Sequence, residues 1–205
     1  MFGCYRADKT ALQALVSDAV TVEKTDFGWC FDGPSDTAAL VFYPGGRVEE
    51  TAYAPLLHRL AESGMDVYLV KMPLHLAVLG MNKADRIIDR AAYEKWYIGG
   101  HSLGGAVAAN YAASRDLDGV ILLAAYPTKD VDEAMLLLYG SEDSVVNRAK
   151  IEAAGQYGAV EERVIAGGNH AGFGNYGEQK GDGVATISTQ EQQKETVEAI
   201  LAWIG

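Results

Sequence analysis

The segment "GGHSLGGA", residues 99–106, holds the side chain best placed for nucleophilic chemistry, that of Ser102. It matches G-x-S-x-G, a pattern in which small flanking residues let a serine occupy a tight, strained turn. A serine hydroxyl does not attack a carbonyl unaided, because its pKa is too high, so it needs a nearby base. The pattern also arises by chance in glycine-rich chains, and its neighbourhood therefore decides its meaning.

The residues around Ser102 predict a strand, a turn and a helix, in that order. "KWYIGG" (95–100) is a short β-rich apolar run, and residues 103–116 form an alanine-rich helical segment. Gly100 and Gly104 let the strand and the helix approach each other closely at this turn. Such an elbow presents the serine hydroxyl at a helix N-terminus, where partial positive charge helps to stabilise an oxyanion.

From about residue 38 onward, short apolar runs alternate with helical patterns, which predicts βαβ units and a mostly parallel sheet. Most runs are apolar throughout, as is typical of strands covered on both faces. The other expected strands are residues 38–44, 65–73, 119–126, 134–140 and 160–168. The other expected helices are residues 52–64, 82–93 and 188–205. In the last helix, Ser188 or Thr189 is the expected N-cap, with Glu191 placed for a capping box.

Four motifs together resemble those of the α/β-hydrolase family, over nearly the whole chain from about Ala38. They are "YPGGRVE" after the first core strand, "GGHSLGGA" at the elbow, "YGSEDSVV" after a late strand and "GGNHAGFGNYG" after the last. The resemblance implies an α/β-hydrolase fold, a mostly parallel central sheet with helices on both faces. Family members carry nucleophile, acid and histidine in that chain order, which Ser102, Asp143 and His170 match here.

The first 37 residues have a different pattern. Residues 9–19 predict a helix, and the alternation in residues 20–34 predicts an antiparallel hairpin at the edge of the sheet. A chain of 205 residues with 49% hydrophobic residues is long enough for one substantial core. We therefore expect a single domain, residues 1–205, with its catalytic core in residues 38–205.

Elimination among the four histidines also favours His170 as the base. His58 falls inside a predicted helix, and His75 follows a middle strand before the elbow. His101 stands directly beside the nucleophile and is expected to face elsewhere. Only His170 follows both the elbow and a late strand, between flexible glycines.

Asp143 is the expected acid because it follows the strand-like run "MLLLYG", at the edge where open α/β sheets place their ligands. Glu142 is the alternative acid, and "SEDS" could also be only a polar turn. In this interpretation His170 takes the proton of Ser102 while Asp143 orients the imidazole. Water then hydrolyses the resulting acyl-enzyme.

The resemblance also implies an oxyanion hole made of two backbone N–H groups. One would come from Leu103 and the other from the "PGGR" loop, where Gly46 is the first choice and Arg47 the alternative. "PGG" is open to a second interpretation as a plain turn. The Arg47 side chain could bind a substrate carboxylate, or form a surface salt bridge with an acid such as Glu49 or Glu50.

The spacing after the elbow leaves no room for a lid or cap domain. Only "PTKDVDEA", residues 127–134, separates two expected strands, which is an ordinary connection length. A longer, glycine-rich segment follows His170 instead, at residues 171–188. Within it, Phe173 and Tyr176 are expected either to form pocket wall or to pack at the surface.

Composition argues against several partners. The net charge is −11 and the basic residues are scattered, which disfavours nucleic acid binding. The apolar stretches are far shorter than the roughly 18 residues of a membrane span. Charges near the N-terminus disfavour a signal peptide, and Cys4 and Cys30 are expected to be free thiols. We expect a cytoplasmic protein, or a tethered or exported one if a natural anchor was removed.

Two further patterns lack their usual setting. Residues 172–177, "GFGNYG", match the dinucleotide fingerprint, but they neither follow a first strand nor open a helix. His58 and Glu62 stand four residues apart, without a further metal ligand near them in the sequence. We expect neither a cofactor nor a metal.

These observations predict a lidless serine hydrolase that acts on a small-molecule substrate, a small or solvent-exposed carboxylic ester or a thioester. Two alternatives stay open, an acyltransferase that passes the same acyl group to an alcohol and a binding protein that keeps the fold without catalysis. A fluorophosphonate probe, which labels only an activated serine, separates the binding protein from the two enzymes.

Overall fold

The computed structural model describes residues 3–34 and 37–205. Met1, Phe2, Ser35 and Asp36, which fall in the predicted N-terminal region 1–37, lie outside the described residues. Within the described residues, eight strands form one sheet: β1 (Thr21–Lys24), β2 (Gly28–Asp32), β3 (Ala38–Tyr43), β4 (Asp66–Val70), β5 (Lys95–His101), β6 (Gly119–Leu123), β7 (Met135–Gly140) and β8 (Val160–Ile165). Their order across the sheet is β1-β2-β4-β3-β5-β6-β7-β8.

The sheet is mostly parallel, as predicted. Strands β3 to β8 run parallel to one another, and β2 pairs antiparallel with both β1 and β4. The hairpin expected at the sheet edge is thereby confirmed. The six strands predicted for the core all occur, with ends within three residues of the prediction. Strand β6 ends before its predicted limit because Ala124 has a φ of 48°, outside the range of a strand.

Helices cover both faces of this sheet. They are α1 (Lys9–Ala14), α2 (Ala54–Glu62), α3 (Asp85–Ile88), α4 (Leu103–Ala112), α5 (Arg148–Glu152) and α6 (Thr189–Ile204). Successive residues of a strand point to opposite faces. Leu40 and Phe42 of β3 thus pack in the core under α2 and α6, whereas Val41 packs in the core under α4. Residues 124–134 connect β6 directly to β7, so no cap domain is inserted between these two strands.

The helix predicted over residues 82–93 is wrong in extent. The chain forms a 3₁₀ turn at Met81–Ala84 and then only the short helix α3. Tyr93 is instead tied to the sheet, because its hydroxyl donates to Asp66 Oδ2 at 2.5 Å and its ring lies 5.0 Å from that of Trp96. These contacts draw the chain out of the helix before β5. The N-terminal helix α1 is likewise shorter than the predicted 9–19, and α5 was not predicted.

Helix α6 begins where the sequence predicts. The Ser188 Oγ accepts the N–H of Glu191 at 3.2 Å, and the Glu191 carboxylate accepts the N–H of Ser188 at 2.8 Å. This confirms the capping box and makes Ser188, rather than Thr189, the N-cap. The first turns of α6 then pass beside the loop that carries His170, where Gln192 donates to the carbonyl of Asn169 at 2.8 Å.

Cys4 and Cys30 are free thiols, and burial raises the pKa of the Cys30 thiol to about 12, so it stays protonated at neutral pH. In residues 3–34 and 37–205, no helix combines the length and apolar character needed to cross a membrane. His58 and Glu62 both lie on α2, and His58 Nδ1 is 3.3 Å from Glu62 Oε1. The single-domain organisation stays a prediction.

Candidate active site

Ser102 occupies the turn between β5 and α4, with a φ of 53° and a ψ of −122°. This backbone conformation is strained for a residue other than glycine. The Ser102 N–H donates to the carbonyl of Leu123 on β6 at 2.9 Å, which fixes the turn against the neighbouring strand. Within the part of the chain that the structure describes, the Ser102 side chain forms no capping hydrogen bond with α4.

This turn fits because the neighbouring glycines lack side chains. A Cβ on Gly100 would lie 2.5 Å from the Tyr43 carbonyl oxygen, and one on Gly104 would lie 2.2 Å from the same atom. A Cβ on Gly105 would lie 2.5 Å from the Cβ of Ala125. All three distances are too short for nonbonded contact. Gly100 and Gly104 therefore have the role that the sequence predicts, a close approach of strand and helix.

Asp143 and His170 follow β7 and β8, so they lie at the same edge of the sheet as the turn after β5. His170 Nδ1 is 2.8 Å from Asp143 Oδ2, and both side chains are fully buried. The other carboxylate oxygen, Oδ1, accepts the N–H groups of Val145 and Val146, both at 2.8 Å. Both carboxylate oxygens of Asp143 thus accept hydrogen bonds within the site.

The proton of His170 can be placed from the state of Asp143. Burial raises the pKa of Asp143, but the hydrogen bond and charge of His170 and the N–H groups of Val146 and Val145 lower it more, so the pKa falls below its usual value. The resulting carboxylate only accepts, so Nδ1 of His170 carries the proton of their hydrogen bond. Among the described residues, the buried Nε2 has no hydrogen-bond partner.

The loop around Asp143 distinguishes it from the neighbouring acid. Arg148 Nη2 donates to the Ser141 carbonyl at 2.9 Å and holds the loop in place. Glu142 is exposed, and its Oε1 accepts the hydroxyl of Ser141 at 2.8 Å. The structure therefore brings Asp143, and not Glu142, to the histidine.

A pocket of about 330 Å³ contains both Ser102 and His170. Six small or apolar residues form most of the remaining wall, namely Leu103, Ala106, Ala124, Ala125, Val145 and Val146. Three polar residues complete it, namely Tyr126, Thr128 and Asn147. Over the part of the chain that the structure describes, no Lys, Arg, Asp or Glu lines this pocket. It therefore suits an uncharged group.

The N–H groups of the "PGGR" loop differ in their hydrogen bonds. The Gly45 N–H donates to the hydroxyl of Tyr53 at 3.0 Å, and the Arg47 N–H donates to the carbonyl of His75 at 2.8 Å. The Gly46 N–H forms no hydrogen bond with any residue in 3–34 or 37–205. Of the two N–H groups that the sequence left open, that of Gly46 is therefore the one available to a ligand.

Gly46 and Leu103 lie against each other. A Cβ on Gly46 would be 2.9 Å from Cδ2 of Leu103, so a larger residue there would displace the Leu103 side chain at the start of α4. Leu103 is the first residue of α4, and its N–H has no carbonyl one turn earlier in the helix to bind. The two predicted oxyanion donors thus belong to segments in direct contact beside Ser102.

The structure does not bring the other three predicted contact residues to the wall of this pocket. Arg47 is exposed, with a φ of 60°. Phe173 is fully buried, with its ring centroid 5.6 Å from that of His101. Tyr176 is also buried, and its ring centroid lies 6.4 Å from that of Tyr53. Both aromatic rings pack in the core rather than at the surface.

His101, which sequence reasoning set aside, lies directly against His170, with ring centroids 4.5 Å apart. This corrects the expectation that it faces elsewhere. Its Nδ1 is 2.8 Å from the hydroxyl of Tyr53, the same hydroxyl that binds the loop at Gly45. Burial, together with the nearby His170, lowers the pKa of His101 well below its usual value. His101 therefore stays neutral, and its place at the last position of β5 is the signal that could have found it.

Comparison with known proteins agrees with this architecture. A profile of the alpha/beta hydrolase family matches residues 39–194, and the chain belongs to that family. Thermogutta terrifontis esterase 2 phosphonylated by cyclosarin is similar, with 16% identity, a TM-score of 0.66 and coverage of 92% of this chain and 95% of that chain. The same esterase with propionate bound has 16% identity, a TM-score of 0.59 and coverage of 92% of this chain and 95% of that chain.

A further similar structure is a predicted CIB-like hydrolase from Thermoplasma acidophilum. It has 15% identity, a TM-score of 0.63 and coverage of 90% of this chain and 98% of that chain. No curated protein matches this sequence. At such identities the similarity establishes the fold, and the family match establishes the family.

Proposed function

We propose that this chain is a serine hydrolase that cleaves small carboxylic esters, or thioesters of similar size, through an acyl-enzyme. One observation carries the proposal. A single pocket contains Ser102 on a strained turn and His170, whose other ring nitrogen is bound to the buried carboxylate of Asp143. Membership in a hydrolase family supports the same class of reaction.

The proposed roles follow from the proton positions. Asp143 holds the Nδ1–H of His170, which leaves the lone pair of Nε2 as the base. Nε2 takes the proton of Ser102 as Oγ attacks the ester carbonyl carbon, and the carboxylate of Asp143 balances the charge on the imidazolium. Collapse of the tetrahedral intermediate returns this proton to the departing alcohol or thiol and leaves Ser102 acylated. Water then attacks with His170 again as the base, which releases the acid and restores Ser102.

We assign the oxyanion hole to the backbone N–H groups of Gly46 and Leu103. The neighbouring N–H groups of Gly45 and Arg47 are bound to Tyr53 and His75, which supports Gly46 as the donor from this loop. Leu103 contributes an N–H at the helix N-terminus, where the helix dipole favours negative charge. A donor of this kind typically contributes about 10²–10³-fold to kcat.

A short, uncharged acyl group fits the site best. The pocket of about 330 Å³ lies near the lower end of the roughly 300–1,000 Å³ typical of small-molecule sites. Residues 124–134 pass directly from β6 to β7, so no cap inserted between these strands covers the pocket with further apolar surface. The structure of the similar esterase from Thermogutta terrifontis has been solved with propionate bound. Propionate is a short-chain acid, which supports a short acyl group for this chain as well.

Replacement of Ser102 by Ala tests this function. We expect hydrolysis of nitrophenyl acetate to fall by about 10⁴-fold or more, because the nucleophile is lost. Ser63→Ala, which removes an exposed hydroxyl at the end of α2, is the control and should keep the wild-type rate. Wild-type hydrolysis by the purified Ser102→Ala variant would refute the nucleophile. Transfer of the acyl group to added alcohols, in place of hydrolysis, would identify an acyltransferase.

A further inference from the structure

The glycine-rich segment after His170 folds back onto the loop of Asp143. Beyond the 3₁₀ turn Ala171–Phe173, residues 174–188 form no helix or strand. Gly183 approaches Glu142 so closely that a Cβ at residue 183 would lie 1.9 Å from the Glu142 carbonyl oxygen. Asn169 Nδ2 also donates to the Gly183 carbonyl at 2.8 Å. The segment is thus fixed on both sides.

Asp182, the residue before that glycine, binds four main-chain N–H groups. Its Oδ2 accepts the N–H of Ala171 at 2.8 Å. Its Oδ1 accepts the N–H groups of Gly183 at 2.8 Å, His170 at 3.2 Å and Ser144 at 3.4 Å. One carboxylate therefore joins the loop of the proposed base to the loop of the proposed acid.

The residue type matters for this arrangement. A carboxylate has two oxygens that only accept, whereas an asparagine presents an NH₂ group to at least one of the donors. Hydrogen bonds to an ionised acceptor are also shorter and stronger than those to a neutral one. Asp182 is partly buried, so water replaces it incompletely when it is removed.

We propose that Asp182 is a positioning residue for the proposed pair of His170 and Asp143. This role rests on the proposed function. It involves no contact between Asp182 and the substrate, because Asp182 does not line the pocket of Ser102. Asp182 fixes the main chain of His170 relative to the loop of Asp143. Such geometry counts most when the proton is transferred, so its loss lowers kcat more than it raises KM.

Two variants test this role, Asp182→Ala and Asp182→Asn, with nitrophenyl acetate as substrate. We expect kcat per folded molecule to fall about 10- to 100-fold in the alanine variant, from the loss of hydrogen bonds to a charged group. We expect a smaller fall in the asparagine variant, which keeps the shape and one acceptor, and KM within about threefold of wild type in both. Glu178→Ala, which removes an exposed carboxylate from the same segment, is the matched control and should keep the wild-type kcat.

The outcomes separate this inference from the proposed function. If wild type cleaves the ester and Asp182→Ala keeps its kcat, the positioning role is overturned and the proposed function stands. The positioning role is also overturned if Asp182→Ala has a lower melting temperature but the wild-type kcat per folded molecule, or if only its KM rises. If Asp182→Ala does not fold, Asp182→Asn decides, and a wild-type kcat there overturns the role. If wild type neither cleaves esters nor reacts with fluorophosphonate at Ser102, both the function and this role are overturned.

Discussion

Replacement of Asp143 by Asn tests how the proton of His170 is held. The N–H groups of Val145 and Val146 both donate to Asp143 Oδ1 at 2.8 Å. In the variant the amide oxygen has to take that position, because the NH₂ group cannot accept a hydrogen bond. The NH₂ group then faces Nδ1 of His170, which has to become an acceptor, and the ring proton moves to Nε2. A histidine protonated at Nε2 cannot take the proton of Ser102.

The size of the effect follows from the cost of restoring the productive tautomer. The amide of the variant would have to flip, which turns its NH₂ group toward the two main-chain N–H groups and leaves both without an acceptor. The hydrogen bond of the Val146 N–H is buried and that of the Val145 N–H is partly buried, so at about 1–3 kcal/mol for each group left unsatisfied the flip costs about 2–6 kcal/mol. A value near the middle, about 4 kcal/mol, corresponds to a fall in kcat of about 10³-fold.

The assay is hydrolysis of nitrophenyl acetate at saturating substrate, with the folded fraction measured by thermal melting. Glu142→Gln is the matched control, because it neutralises the adjacent acid, which is exposed and bound to Ser141. We expect the wild-type kcat from this control. A kcat of Asp143→Asn within tenfold of wild type would refute the reasoning about the proton of His170. A fall in kcat that is larger in Glu142→Gln than in Asp143→Asn would refute it as well.

Three more predictions concern substrate size, substrate charge and the turn at the nucleophile. Nitrophenyl acetate and butyrate should be cleaved faster than the palmitate, without a jump at the micellar concentration; a rate that rises up to palmitate contradicts the small, lidless pocket. Arg47→Gln should change KM equally for a hemisuccinate ester and a neutral ester of similar size, because Arg47 does not line the pocket, and a selective rise for the hemisuccinate would show that the guanidinium binds substrate. Gly104→Ala should lower the free energy of unfolding by about 1–3 kcal/mol relative to Gly155→Ala, since nothing lies within 4 Å of a Cβ on Gly155. Equal denaturation midpoints for these two variants would contradict the close packing at the elbow.

The elbow could be predicted because its determinants are local. An apolar run, a serine between small residues and an alanine-rich helix all lie within residues 95–116, and each points to the same geometry. The order of the parallel strands then places the residues after β7 and β8 at the same edge as Ser102. Asp143 and His170 could therefore be named as candidates from their positions after strands.

The contacts made by His101 and Asp182 could not be predicted in the same way, because they join segments far apart in the chain. His101 meets Tyr53, 48 residues away, and Asp182 binds the N–H of Ser144, 38 residues away. The burial of Tyr176 has a similar cause, since the ring of Tyr5 from the N-terminal segment packs on it at 5.5 Å. An aromatic residue in a glycine-rich loop carries no sign of such a distant partner.

The helix expected over residues 82–93 failed for a related reason. Its apolar spacing is compatible with a helix, but Tyr93 bonds to Asp66 on β4, and this tertiary contact overrides a local preference worth only a fraction of a kcal/mol per residue. Local pattern thus predicts the elements with strong and repeated signals, and long-range hydrogen bonds decide where the weaker ones end.

The most direct test of the central claim is the site of fluorophosphonate labelling, read by intact mass and peptide mapping. An unactivated serine does not react with such a probe. We predict one adduct per chain, on Ser102, with no adduct in Ser102→Ala and much slower labelling in Asp143→Asn. The absence of an adduct in folded wild-type protein, or an adduct that persists in Ser102→Ala, would contradict the claim that Ser102 is an activated nucleophile.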